Sequence, residues 1–292
     1  MQLSACAVYD DELLTPTRSP LRPQTVVIPD AGIAPIAPIA TAAAPMVAAP
    51  APAVLDAATP TTCPVLPTID YCTGLPHLTA EPIIDGSPEC GLALTPIAPQ
   101  GWNGVGPSPN KSAFYAAAWI GEGLYVYIEV QGAPLRPHPS TAPLFCGDAV
   151  EIYVDSDAMR TDDAGMYDDS GTMQFVVAAP SAQDAPIEAG RYVQGEPAGT
   201  WITQRLKTRW LPDGYAVEAL INAADIALWS WTVQQQLGFN IAIDVGGDAT
   251  EGPLRCGQQL GQYFLRVAAT GNSCGGEPWC DVRSFCTPTL LP

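Results

Sequence analysis

The chain has 292 residues, with 31 Pro, 26 Gly and 9 Cys, and its 12 basic and 30 acidic residues give a formal net charge of -18. That charge excludes a nucleic-acid binder, which needs basic surface to displace phosphate counterions, and no apolar run is long enough for a membrane-spanning helix. At 47% hydrophobic and 14% charged residues the chain is too apolar for disorder throughout, and it is long enough for one or two buried cores.

In chain order, Leu3, Ser4, Ala5 and Cys6 come first. They resemble a bacterial lipobox, in which the Cys thiol is acylated after cleavage of a leader. No charged and apolar leader precedes them, so either the start is assigned too late or the sequence is trimmed, and residues 1–14 are expected to be a lipobox remnant and N-terminal anchor; a chance tetrapeptide is the alternative. The anchor reading implies an exported protein at the outer membrane or cell surface, contacting a lipid bilayer through acylated Cys6.

Residues 15–67 are rich in Pro and Ala, with the near-repeat IAPIAPIA at 33–40. Regular Pro removes backbone donors and favours extended conformations, so a disordered, semi-rigid spacer is expected, reaching roughly 150 Å at about 3.1 Å per residue. Setting Cys6 aside leaves Cys63, Cys72, Cys90, Cys146, Cys256, Cys274, Cys280 and Cys286. An even set in an exported domain reads as four disulfides whose pairing spacing cannot choose, clustered so as to pin the first and last segments of the domain. A zinc site is the rival, but there is no C-x-x-C and neither His77 nor His138 lies near the last three cysteines.

Residues 68–292 change texture to short alternating runs separated by Gly, Pro, Asn and Asp. In 124–130, Leu124, Val126, Ile128 and Val130 share one face, and Tyr125, Tyr127 and Glu129 share the other. The same period predicts strands at 149–155, 173–177, 201–210, 215–221, 239–245 and 263–267, with a short helical turn at 223–228. Many short strands with punctuated turns give an all-β fold, an antiparallel β-sandwich. Trp119 reads as a core aromatic. Glu151 and Glu218, on the polar faces of apolar strands, read as solvated residues or ion-pair partners. Trp229 and Trp231 would share a side if their segment is extended.

Six Asp occur in the fifteen residues from Asp155 to Asp169. Hard oxygen ligands at that density suit Ca²⁺, with Asp155, Asp157, Asp168 and Asp169 as ligands. EF-hand spacing fails, because Met159 stands where a third ligand belongs. The alternative is a solvated, charged turn. Catalytic motifs are missing: no nucleophile elbow, no H-E-x-x-H, no phosphate-binding glycine loop. Carboxylates such as Asp148, Glu151 and Glu218 offer pairs only of the kind any acidic sandwich contains. Met159, Met166 and Met173 with His138 lack the spacing of a haem site. The chain therefore reads as no enzyme, though an accessory module for glycoside hydrolysis would fit.

The succession Pro82–Gly86, Gly101–Gly104, Ala116–Val130, Gly147–Asp155, Gln174-Phe175, Gly214–Ile221 and Gly238–Asp244 resembles the family 9 carbohydrate-binding modules and their relatives, over about residues 80–270. The resemblance implies a β-sandwich that binds a polysaccharide or oligosaccharide, and structural calcium. In its xylanase-type members two Trp side chains sandwich the sugar. Phe145, three residues before Asp148, matches the first. Val176 matches a sugar-binding Arg, and the segment 255–262, where the second Trp belongs, contains no Trp. Trp279 is an aromatic outside the strand pattern that caps a ligand surface or covers the clustered cysteines. The expectation is a surface-displayed glycan-binding domain with Phe145 and Trp279 in its site; the alternative is a structural or adhesion lipoprotein that keeps the sandwich and has lost the sugar site.

Overall fold

The computed structural model describes residues 69–98, 102–104, 110–121, 123–132, 134–137, 143–158, 171–193, 205–226, 231–247, 259–268, 277–279 and 281–292. Their strands are β1 (Gly74–Leu75), β2 (Thr95–Ile97), β3 (Ser112–Ile120), β4 (Gly123–Gln131), β5 (Ala149–Asp155), β6 (Thr172–Ala178), β7 (Ala189–Val193), β8 (Arg205–Leu211), β9 (Gly214–Asn222), β10 (Gly238–Gly246), β11 (Gln259–Phe264) and β12 (Thr289–Leu290). Two five-stranded antiparallel sheets result: sheet I in the order β2-β3-β4-β9-β8 and sheet II in the order β11-β10-β5-β6-β7. The expected all-β sandwich is the observed fold.

Alternation sets the core. Val126, Ile128, Val217 and Ile221 from sheet I meet Val150, Ile152, Phe175, Ile241 and Ile243 from sheet II in one buried cluster. Trp119 belongs to it, as expected. Its indole N–H donates to the Leu291 carbonyl at 2.8 Å, and its ring lies 4.3 Å from that of His77.

The opposite faces were expected to be solvated, and they are not. On sheet I, residues 81–90 lie over Tyr125 and Glu218. The Glu89 N–H donates to the Tyr125 hydroxyl at 2.8 Å, and the Arg209 guanidinium reaches Ser87 Oγ at 3.0 Å. Glu218 is buried and accepts from the Asp85 and Gly86 N–H groups and from Tyr125, so it is a loop anchor, not a solvated residue. Gly86 adopts φ +90°, and a Cβ there would stand 3.1 Å from Arg209 Cβ, which is why this turn needs glycine.

The two ends of the domain are joined. Cys72 and Cys286 form a disulfide spanning 214 residues, and β1 pairs in parallel with β12 beside it. Cys90 and Cys146 are also disulfide-bonded. Cys6, Cys63, Cys256, Cys274 and Cys280 lie outside the described residues, as do the anchor and spacer segments 1–67.

Two strand bounds shift. The last strand of sheet II runs Gln259–Phe264, earlier than expected. After Phe264 one further backbone bond, Leu265 N–H to Ile241 O at 2.8 Å, is followed at Arg266 by the Asn240 side chain, which accepts from Arg266 N and donates to Arg266 O. At 223–226, the described part of the short helical turn expected at 223–228, the chain makes a single turn on Asn222, whose carbonyl accepts from both Asp225 and Ile226 N–H. The strand expected at 201–210 is Arg205–Leu211 among the described residues. Trp231 is buried, while Trp229 falls outside the described residues.

Candidate functional site

The outer face of sheet II concentrates the polar chemistry. Strand period turns Ala149, Glu151, Tyr153 and Asp155 outward from β5. Register places Glu151 between Val176 of β6 and Ala242 of β10, Tyr153 between Gln174 and Asn240, and Asp244 between Ala149 and Gln262. Five outward polar side chains from four adjacent strands thus become neighbours: Glu151, Tyr153, Gln174, Asp244 and Gln262.

They form a hydrogen-bonded cluster. The Tyr153 hydroxyl donates to Glu151 Oε2 and accepts from Gln174 Nε2 at 3.3 Å. Gln262 Nε2 donates to Asp244 Oδ1 at 2.6 Å. Burial pushes the Glu151 carboxyl up to about 7; Tyr153, Asp244, Gln174 and Gln262 pull the other way. Glu151 Oε1 has no protein partner in hydrogen-bonding geometry. Glu151 is thus neither solvated nor ion-paired, as its sequence position had suggested, but the centre of a buried network.

The network extends to Trp279. The Gln262 N–H donates to Asn103 Oδ1 at 2.7 Å, and Asn103 and the Trp279 indole both stabilise the carboxylate of Glu277, whose pKa is raised by burial. Trp279 packs with Tyr153, Ala242, Phe264, Val282 and Phe285, and Phe285 lies 5.9 Å from the Tyr153 ring. On the other flank, a 3-10 turn at Leu144–Cys146 lays Phe145 on Ala149 and Val176. The two aromatics expected at a sugar site therefore flank the Glu151 row from opposite sides. The face is nearly closed: Glu151 is 1% exposed, and Phe145 and Gln262 7% each.

Asp155 continues this face one register step beyond Tyr153. It is buried, and its Oδ1 accepts the Asp157 N–H at 3.2 Å. Asp168 and Asp169 lie outside the described residues, and among the described residues no three metal-ligating side chains come together. Two carboxylates fall short of the six to eight oxygens Ca²⁺ takes, so no cation site is assembled from the described residues.

Residues 97–257 match the family described as carbohydrate family 9 binding domain-like. The chain belongs to that family. A family 9 domain is a binding module, not an enzyme. A family 9 carbohydrate-binding module from Caldicellulosiruptor kristjanssonii in complex with cellotriose is similar in fold, with a TM-score of 0.53 and 21% identity over 75% of this chain and 93% of that one. A family 9 module from the same organism in complex with glucose gives 0.50 and 20% identity, over 75% and 95%. No curated protein matches the chain.

Sequence reasoning had singled out Phe145 and Trp279 but passed over Tyr153, Gln174, Asp244, Gln262, Asn103 and Glu277. The available clue was the outward set of polar positions in Gly147–Asp155 and Gly238–Asp244, read as two adjacent strands instead of one at a time.

Proposed function

We propose that this family 9 domain binds a neutral sugar non-catalytically on the outer face of sheet II. Once the cover of this face is displaced, Phe145 offers an apolar ring to the C–H face of the sugar, and Glu151, Gln174, Asp244 and Gln262, all 7% exposed or less in the free domain, exchange hydrogen bonds with its hydroxyls. The observation that carries this reading is the carboxylate, amide and phenol cluster flanked by Phe145 and Trp279. Cellotriose and glucose, the ligands of the similar modules, are the first probes. Calorimetry with cello-oligosaccharides, xylan and chitin fragments on the wild type, Phe145→Ala and Glu151→Gln tests it. Binding that both variants lose supports the site; no binding to any of these neutral glycans overturns it.

A second reading has an observation of its own. The cluster is almost wholly covered, and Val176 stands where a sugar-binding Arg would be expected. A sandwich kept for structure or adhesion after loss of the sugar site would look like this, and the same titration separates the two.

Three further elements rest on sequence: export with a lipid tether at Cys6, the spacer 15–67 that would hold the domain clear of a membrane surface, and Ca²⁺ held through Asp155, Asp157, Asp168 and Asp169. Detergent-phase partitioning and the mass of the native N-terminal peptide test the tether. A soluble, unmodified Cys6 overturns it.

A further inference from the structure

On the outer face of sheet II, cross-strand rows of side chains run inward from the edge strand β7. In one row Gly190 of β7 pairs with Val176 of β6, Val176 with Glu151 of β5, and Glu151 with Ala242 of β10. Gly190 brings no side chain and Val176 a short apolar one, so the row is low from the sheet edge as far as Glu151. The neighbouring row, Tyr192, Gln174 and Tyr153, forms one wall of this trough. Leu144 and Phe145, packed with Ala149 and Val176, form the other.

Tyr192 is the open member of the trough. It packs against the Phe145, Ala149 and Val176 cluster and is half-buried, whereas Glu151 and Gln174 are each 1% exposed. A Cβ added at Gly190 would stand 3.3 Å from Leu144 Cδ1, 3.5 Å from Tyr192 Cε2 and 3.6 Å from the Tyr192 hydroxyl, so both side chains border the space that glycine leaves. Burial, and after it the charge of Glu151, raises the Tyr192 phenol to about 12, so the hydroxyl lies within electrostatic reach of that carboxylate. The hydroxyl has no hydrogen-bond partner among the described residues, and neither has Glu151 Oε1. A buried acceptor left without a partner is a cost that a ligand hydroxyl relieves.

We infer that Tyr192 is a specificity-determining residue of the sugar site, an inference that rests on the reading that a neutral sugar binds this face. A pyranose lies with its C–H groups on Val176 between the Phe145 and Tyr192 rings, and one of its hydroxyls accepts from the Tyr192 O–H while donating to Glu151 Oε1. Tyr192 thus supplies from β7 the second aromatic that the segment 255–262 lacks. Two uncharged rings and a valine floor suit a neutral sugar. The ligand enters at the β7 edge, where the Leu144–Cys146 turn covers the face; Trp279, Val282 and Phe285 cover Tyr153, Ala242 and Phe264 on its other side.

The test titrates the whole chain with cellotriose, glucose and the monodeoxy analogues of glucose. Tyr192→Ala is expected to weaken cellotriose about tenfold or more, as loss of an aromatic anchor does. Tyr192→Phe keeps the ring and its packing, and is expected to weaken binding about three- to tenfold through the lost hydroxyl alone. One monodeoxy analogue should bind the wild type more weakly than glucose does, and that gap should narrow in Tyr192→Phe. Gaps identical in the wild type and Tyr192→Phe for every analogue overturn the inference. Wild-type affinity in both Tyr192 variants, with binding lost in Phe145→Ala and Glu151→Gln, also overturns it while the reading of the face as a sugar site stands. No binding of cellotriose or glucose overturns both.

Discussion

Glu218 Oε2 accepts the backbone N–H of Gly86 at 2.6 Å across 132 residues of sequence, and the Asp85 N–H at 2.7 Å. One strand carboxylate thereby fixes the turn that covers sheet I. Glu218→Ala leaves two backbone donors and the Tyr125 hydroxyl short of a partner, and is expected to cost about 2–4 kcal/mol in urea unfolding. Gly86→Ala is expected to cost about 1–2 kcal/mol, because its φ of +90° penalises a Cβ. A neutral outcome for both would mean that the turn detaches freely from the sheet.

Glu151 makes stability depend on pH. Its carboxyl is raised from 4.5 to about 7, so between those values the folded state holds a proton that the unfolded state has released. Stability is therefore expected to fall as pH rises from about 4.5 to 7 and to level off above, by up to about 3 kcal/mol from this group. Glu218 and Glu277 are raised as well and act in the same direction. Glu151→Gln should flatten the slope without abolishing it; an unchanged slope would show that another group holds the proton.

The Cys72–Cys286 bridge closes a loop of 214 residues. Replacing both by Ala is expected to cost about 2–5 kcal/mol and to lower the thermal midpoint, with the β1–β12 pair and the Cys286–Phe239 backbone contacts left to hold the ends. A thermal midpoint equal to that of the wild type would show that those contacts suffice.

Calcium held by Asp155, Asp157, Asp168 and Asp169 would add stability by mass action, about 2.7 kcal/mol at a hundredfold excess over Kd. EDTA is expected to lower the melting temperature, Ca²⁺ to restore it, and Asp155→Asn with Asp168→Asn to remove the response. Identical melting in EDTA and in Ca²⁺ would leave these Asp as a charged turn.

Much of the sandwich was legible because a two-residue period is a local property. Leu124 to Val130 and Ala149 to Asp155 state in a few letters which side chains enter the core, and the order of motifs carried the family. The site was only half legible. Phe145 and Trp279 could be picked out as aromatics, but Glu151 read as a solvated strand residue because nothing near it in the chain says what lies above it.

Sequence by itself determined the long central strands β4, β5, β6, β9 and β10 with their inward faces, the family, and the contrast between a Pro/Ala-rich segment and a Cys-bearing domain, but not the short strands β1, β2, β7 and β12. Tertiary structure alone decided that both outer faces are covered, and that Glu151, Asp244 and Gln262 become neighbours. The physical reason is separation along the chain. Alternation is written between adjacent residues, whereas burial and the pKa of Glu151 depend on strands 90 or more residues apart pairing in register, with segments such as 277–286 closing over them.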